Sequence, residues 1–203
     1  SNTTECHPII GRRIKQNVRL NGSRLIVADP RRTELAEMAE VHLCHRGGTD
    51  VALLNGLMHV ILREGIFNNA FVAERCEDFD PFRRSLDNYD PRTVEAVTGV
   101  PADAIARSAR ILGEARSMVA IYGMGITQHT TGTDNVKAVA NLLMLTGNMG
   151  RPGTGFSPLR GQNNVQGACD MGALPNVFPG YQKVVDAEAR SKFTIAWKTV
   201  LDP

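Results

Sequence analysis

No apolar run approaches the roughly 18 residues that a membrane-spanning helix needs, and no N-terminal stretch reads as a signal peptide, so membrane contact is not indicated. The four cysteines, Cys6, Cys44, Cys76 and Cys169, form no CxxC, and no pair stands at metal-ligand spacing. A reduced, cytoplasmic setting is the default expectation for such cysteines. No dense Lys/Arg block occurs. Arg far outnumbers Lys, but 21 acidic residues leave a net charge of only +2, which argues against a nucleic-acid surface. GxGxxG and GxxxxGK[ST] are both absent, so the ordinary dinucleotide and P-loop fingerprints are missing. There is no internal repeat and no low-complexity tract. An apolar fraction of 42% over 203 residues is enough for a real core, in one large domain or one domain plus part of another.

The rhythm of the first third is helix, strand, short helix, strand, helix. HPIIGRRIKQNVRLNG carries Pro8 near a helix start and Gly22 just past its end. RLIVAD (24–29) and EVHLC (40–44) read as short buried strands, separated by a turn through PRRTELAEMA. GTDVALLNGLMHVILREG spaces its apolar residues as a helix, with Thr49 or Asp50 as N-cap. Residues 66–115 read as four locally connected helical segments: 68–76, 80–87, 91–98 and 101–115. SMVAIYGMG (117–125) is a third buried strand ending in a glycine turn, and a helix follows at 132–146, closed by Gly147. RPGTGFSPLRGQ is irregular. NNVQGACDMGAL starts another helix, and DAEARSKFTIAW is the last. This alternation predicts an α/β fold with a parallel sheet. Starting without Met and stopping at Pro203 after a helical segment, the chain reads as a piece of a longer protein.

In open α/β sheets, ligands bind beyond the carboxyl ends of the strands. Here those ends deliver Asp29-Pro30-Arg31-Arg32, then His45-Arg46-Gly47-Gly48-Thr49-Asp50, then Gly123-Met124-Gly125-Ile126-Thr127-Gln128-His129. The opening residues SNTTECHP, with Asn2 and Glu5, are a loop of the same kind if a strand precedes them. An Asp can accept from ribose hydroxyls or guanine N–H groups, a helix N-terminus can meet a phosphate, and glycine lets the backbone approach closely. Taken singly, Asp29 is as well explained as a turn residue, and Asp50 as an N-cap. SPLRGQNNVQGACDMGALP concentrates amides, an arginine and an acid in one short run, more than a solvated loop requires.

SNTTECHP, ADPRRTELAEMAEVHL, GTDVALLNGLMHVI, YGMGITQH, MLTGNMGRPGTG and PLRGQNNVQGACDMGALP occur in that order. Together they closely resemble the formate dehydrogenase branch of the molybdopterin oxidoreductase family, over essentially the whole chain. DPRRTE and GTDxALxNGL are shared widely in that family, whereas RGQNNVQGACDMGALP is specific to this branch. The resemblance implies a Rossmann-like, mostly parallel sheet flanked by helices. It implies a molybdopterin guanine dinucleotide-binding domain over 1–155, then an active-site loop and the start of the next domain over 156–203. The parent would hold molybdenum or tungsten between two molybdopterin guanine dinucleotides, with a 4Fe–4S cluster outside this chain. Formate, the remaining domains of the parent and an electron-transfer subunit are the implied partners.

Residue by residue, Arg160 matches the arginine that faces formate, and Gly161 and Gln162 match pterin contacts. Asn2 and Glu5 match the first loop. Asp29, Arg31, Gly48 and Asp50 match nucleotide contacts, and Met124 and Gln128 match residues near the pterin or its phosphates. His129 departs from relatives with an aromatic there and receives no role. No metal ligand is expected: Cys6–His7 imitates a ligand pair but falls in the wrong loop. Asn163, Asn164 and Asp170 are read as fixing the loop, and Cys169 as packing. The isolated chain is expected to be inactive. The rival readings are a nitrate reductase-like sister enzyme, which RGQNNVQGACDMG argues against, and a guanine-nucleotide module without catalysis.

Overall fold

The computed structural model describes residues 2–201. Two helices open the chain, α1 (Thr3–Cys6) and α2 (Pro8–Leu20), with Pro8 at the first position of α2, where its missing N–H costs nothing. Strand β1 (Ile26–Ala28), helix α3 (Glu34–Met38), strand β2 (Val41–Leu43) and helix α4 (Asp50–Arg63) follow. Then come α5 (Asn69–Arg75), α6 (Phe79–Ser85), α7 (Pro91–Thr98) and α8 (Ala102–Gly113). Strand β3 (Val119–Tyr122), α9 (Met124–Thr127), α10 (Gly132–Leu145) and β4 (Gly155–Pro158) complete the first of two compact units, which divide between Leu159 and Arg160. The second unit contains α11 (Val165–Asp170), β5 (Val177–Phe178), β6 (Gln182–Lys183) and α12 (Ala187–Trp197).

The parallel pairing that the sequence predicts is present, as two separate pairs. β1 runs parallel to β2, Ile26 facing Val41 and Ala28 facing Leu43. β3 runs parallel to β4, Val119 facing Gly155 and Tyr122 facing Pro158. The sequence reading missed β4, because GFSP carries a glycine and a proline and no alternating pattern. It also read β3 as buried throughout. In fact only Tyr122 is buried, and Val119 and Ile121 are exposed.

The core of the first unit is mostly helical. α4 is apolar around most of its circumference, as a central helix must be. Leu53, Met58 and Ile61 are at most 2% exposed, and α7, α8 and α10 pack around them through Val94, Ile105 and Leu142. The α4–α7 approach is close enough that a Cβ on Gly56 would come within 2.9 Å of Val94 Cγ2. Much of the arginine excess is spent on the surface of this unit. Arg110 forks onto Glu64, and Arg24 and Arg107 both reach Glu40. Such exposed pairs are worth little individually. The second unit has its own small core, in which Phe178, Phe193 and Trp197 stack with centroids 4.6 to 5.7 Å apart.

Two glycines with positive φ separate conformational cost from steric cost. Gly22, φ +66°, has nothing near the position of a Cβ. Gly147, φ +68°, ends α10 where a Cβ would collide with Asn68, the residue that caps α5 and donates its backbone N–H to Leu145 O. Gly22→Ala is expected to cost about 1 kcal/mol, the left-handed penalty alone. Gly147→Ala should cost on the order of 2–4 kcal/mol, because overpacking is added. Urea melts of the two variants beside wild type measure the difference, and equal losses would remove the Asn68 contact from the account.

Candidate functional site

The ends of β1 and β2 meet in register, so the loops that follow them share one edge. Asp29 is the first residue beyond β1. Its carboxylate accepts from Arg31 N at 2.8 Å and lies 3.5 Å from Arg31 Nε, an Asx turn that sets the path of the chain through Pro30. Its backbone carbonyl accepts from His42 Nε2 at 2.8 Å, and Pro30 O accepts from the Cys44 thiol. The two strand ends are thus tied across as well as along. The Arg31 side chain is 67% exposed at the mouth of this edge. All four cysteines are free thiols.

The loop after β2 is built around a buried ion pair. His45 and Asp50 are each 6% exposed, and His45 Nε2 donates to Asp50 Oδ1 at 3.1 Å. His45 Nδ1 donates to Leu43 O. Both ring nitrogens therefore act as donors, which only the imidazolium can do. The Asp50 hydrogen bond raises the His45 pKa above its usual value despite burial. For Asp50, burial pushes the carboxyl up, but the His45 hydrogen bond and charge outweigh it and hold it below its usual range. The sequence suggests Thr49 or Asp50 as N-cap of α4. The cap position is Thr49, but its hydroxyl does not cap the helix: Thr49 Oγ1 donates back to Arg46 O. Arg46 turns away from this loop and caps the carbonyls of Ala96 and Val97 at the end of α7. Gly48, φ +80°, is exposed with open space around it. His45 was missed as a site residue; the only sequence signal was a His and an Asp flanking Gly47-Gly48.

The third loop reaches the same region. His129 lies close enough to Asp50 that its charge helps lower the Asp50 pKa. GMGITQH, expected as a loop, contains the single turn α9. Asn135 of α10 holds it by donating to Ile126 O at 2.8 Å, and His129 Nε2 donates to Gly125 O. Asn135 is 1% exposed, and its Oδ1 has no protein partner. Met124 and Gln128 are both exposed here, with Gln128 Nε2 3.3 Å from the Met124 sulfur. Asn2 and Glu5 sit at α1 instead. Asn2 caps its start and accepts from Thr4, Glu5 is exposed, and α1 packs closely on Gly11 of α2.

Arg160, Gly161 and Gln162 open the second unit and are exposed. Arg160 Nη2 donates to Gln166 Oε1 at 3.0 Å. Gln166 Nε2 donates in turn to Asp170 Oδ1 at 3.1 Å and to Tyr181 Oη at 3.0 Å, and Tyr181 donates to Asp170 at 2.9 Å. Asp170 raises the phenol pKa of Tyr181 through that hydrogen bond. Gln166 and Tyr181 were missed. Gln166 was one of many amides, and Tyr181 lies beyond the recognisable motif. Among the described residues, no three His, Cys, Asp or Glu gather to hold a metal.

The His45–Asp50 pair has a readable pH signature. The raised His45 pKa contributes stability that is complete below the ordinary imidazole value of about 6.5 and is lost as pH rises through the raised folded value. The lowered Asp50 pKa contributes stability present above about 4 and lost as pH falls through its folded value. His45→Leu leaves a lone buried carboxylate and should cost about 3–5 kcal/mol at neutral pH. It should also abolish the wild-type loss of thermal stability as pH rises above about 6.5. Thermal melts across that range check both, and an unchanged alkaline limb in the variant would show that the pair is not charged.

Comparison with known proteins agrees with the motifs. Residues 1–200 match the family model described as molybdopterin oxidoreductase. Formate dehydrogenase H of Escherichia coli (strain K12) is 46% identical over 97% of this chain, which spans 27% of that relative. The F420-dependent formate dehydrogenase subunit alpha of Methanocaldococcus jannaschii is 49% identical over the whole chain, which spans 30% of its length. Among solved structures, acetylene hydratase from Pelobacter acetylenicus superposes with a TM-score of 0.66 at 28% identity, covering 71% of this chain and 20% of that one. The chain therefore spans less than a third of the curated relatives it matches. With a family model matching nearly every residue and relatives almost half identical from end to end, the chain belongs to the molybdopterin oxidoreductase family.

Proposed function

We propose that this chain is part of the catalytic subunit of a formate dehydrogenase, contributing a dinucleotide-binding α/β unit and the loop that faces formate. The observation that carries the reading is RGQNNVQGACDMG, in a chain nearly half identical to proteins named formate dehydrogenases. The groups at the strand edge suit a molybdopterin guanine dinucleotide. Gly47, Gly48 and Gly125 leave open space beside the backbone, so a large ligand can approach it closely. The Asp29 carboxylate suits ribose hydroxyls or guanine N–H groups, and Arg31 suits a phosphate. The unpartnered Asn135 oxygen beneath the 123–129 loop is an acceptor of the kind that an N–H-rich ring system can use. On this reading Asp50 acts through His45, fixing the loop that carries Gly48, while Met124 and Gln128 present their side chains to the pterin.

A bound molybdopterin guanine dinucleotide pair with its metal would supply the redox chemistry, and a 4Fe–4S cluster and an electron-transfer subunit outside this chain would be the onward route for electrons. The work of this chain is orientation. Formate is a small planar anion, and a guanidinium can hold its carboxylate through two parallel hydrogen bonds. Arg160 is assigned that contact. Gly161 and Gln162 place backbone and amide groups next to it for the pterin, and Asn2 and Glu5, at helix α1, are assigned the cofactor contacts of the opening segment.

Arg160→Lys in the full-length enzyme keeps the charge and loses the planar fork. It should lower kcat/KM for formate by roughly thirtyfold to a thousandfold, equivalent to about 2–4 kcal/mol. Metal and guanine content should stay at the parental level, because Asp29 and Arg31 belong to the other compact unit. Parental kcat/KM with full cofactor loading would remove Arg160 from the substrate site. The 203-residue chain alone is expected to reduce no dye with formate. Formate-dependent reduction above a blank would contradict the division of labour proposed here.

A further inference from the structure

We propose that Gln166 is the positioning residue of Arg160 and that Asp170 and Tyr181 serve to lock the Gln166 amide in a single orientation. The proposal rests on the formate reading of Arg160 given above. Arg160 can only donate, and on α11 it donates to Gln166 Oε1 at 3.0 Å. For that oxygen to face the guanidinium, Gln166 Nε2 must point the other way, where it finds two acceptors: Asp170 Oδ1 at 3.1 Å and Tyr181 Oη at 3.0 Å. The phenol has one proton, and it goes to Asp170 Oδ1 at 2.9 Å, which leaves its oxygen to accept from Gln166. Reversing the amide would set Oε1 against a carboxylate and an NH2 group against a guanidinium. Every bond in the set therefore runs in one direction and ends on the Asp170 charge.

Local backbone supports the arrangement. Gln166 and Asp170 stand four residues apart on α11, so their side chains share one face. Tyr181 arrives from the three-residue turn between β5 and β6, in a left-handed conformation with φ 58°. A non-glycine residue there costs about 1–2 kcal/mol and persists only where the surroundings impose it. The turn is pinned to the same helix by the Gly180 N–H, which donates to Asp170 O at 2.8 Å. Tyr181 is thus held where its hydroxyl meets Gln166 and Asp170. None of these three needs to touch formate.

The test uses the full-length holoenzyme in four forms: wild type, Gln166→Met, Arg160→Lys and the double variant. Gln166→Met preserves length and removes both amide functions. It should lower kcat/KM for formate by about tenfold to a hundredfold, the effect of loosening an orienting group. Binding of nitrate, an unreactive planar anion, measured by calorimetry on the same samples, should weaken by a similar factor with metal content unchanged. In the Arg160→Lys background the same substitution should change neither quantity by more than about twofold, since residues acting through one contact are not additive. Equal losses in both backgrounds would overturn the proposal and make Gln166 a structural residue. So would a Gln166→Met enzyme that matches wild type beside a damaged Arg160→Lys. If Arg160→Lys itself is undamaged, the formate reading fails and this inference with it. Tyr181→Phe keeps the ring and the turn while removing the hydroxyl. It should weaken nitrate by a few-fold in wild type and not in Arg160→Lys, which keeps the proposal decidable if Gln166→Met loses cofactor; no effect in wild type would then overturn it.

Discussion

A charged imidazole and a charged carboxylate, both nearly sealed from water, sit where β2 gives way to α4. Burying either charge alone would cost several kcal/mol, so each is tolerable only against the other. This fixes the path of the whole loop. His45 must turn inward directly after Leu43, Asp50 must return to it, and the residues between have to close the gap. Gly48, with its positive φ, makes that closure possible, and Thr49 seals it by bonding back to Arg46. α4, the helix around which the core is packed, begins at the returning carboxylate. The edge on which the proposed dinucleotide site depends is therefore set by an electrostatic constraint as much as by the hydrophobic pattern.

Most of the helical skeleton is legible in the sequence, for a simple reason. Helices α2, α4, α7, α8 and α10 are long or carry clear boundary residues such as Pro8, Asp90-Pro91 and Gly147. Asp90 caps α7 by accepting from Arg92 and Thr93, the local bond that its type and position promise. Strands β1, β2 and β3 were placed to within two or three residues at each end, because uninterrupted LIV, HL and VAIY are hard to read otherwise. β4 was not legible. Its place is decided by Tyr122 and its neighbours on β3 across some thirty residues of chain, which no local pattern in GFSP announces.

The loops of the candidate site were legible in position, their contacts less so. Loops after the strands stood out because they gather glycine and acid, and Asp29, Gly48, Met124 and Gln128 lie on those loops. What a carboxylate does once it is there is a different question. Asp29 and Asp50 look alike as strand-end acids, yet Asp29 makes an Asx turn at a partly open edge and Asp50 is sealed against His45. The difference depends on which side chain arrives from five residues away, and spacing alone is silent about that.

The second unit shows why a run so rich in amides can follow an arginine. The guanidinium of Arg160 reaches α11 through an amide oxygen, Gln166 Oε1, and not through the carboxylate of that helix. An amide oxygen orients the same group and carries no charge. The negative charge that completes the set, Asp170, stands one side chain further back and is shared between Gln166 and Tyr181. Because Tyr181 stays protonated beside that carboxylate, it keeps donating, and the amide keeps its orientation. On the formate reading, orientation at α11 thus reaches the guanidinium through a neutral amide, and the Asp170 carboxylate contributes by fixing that amide.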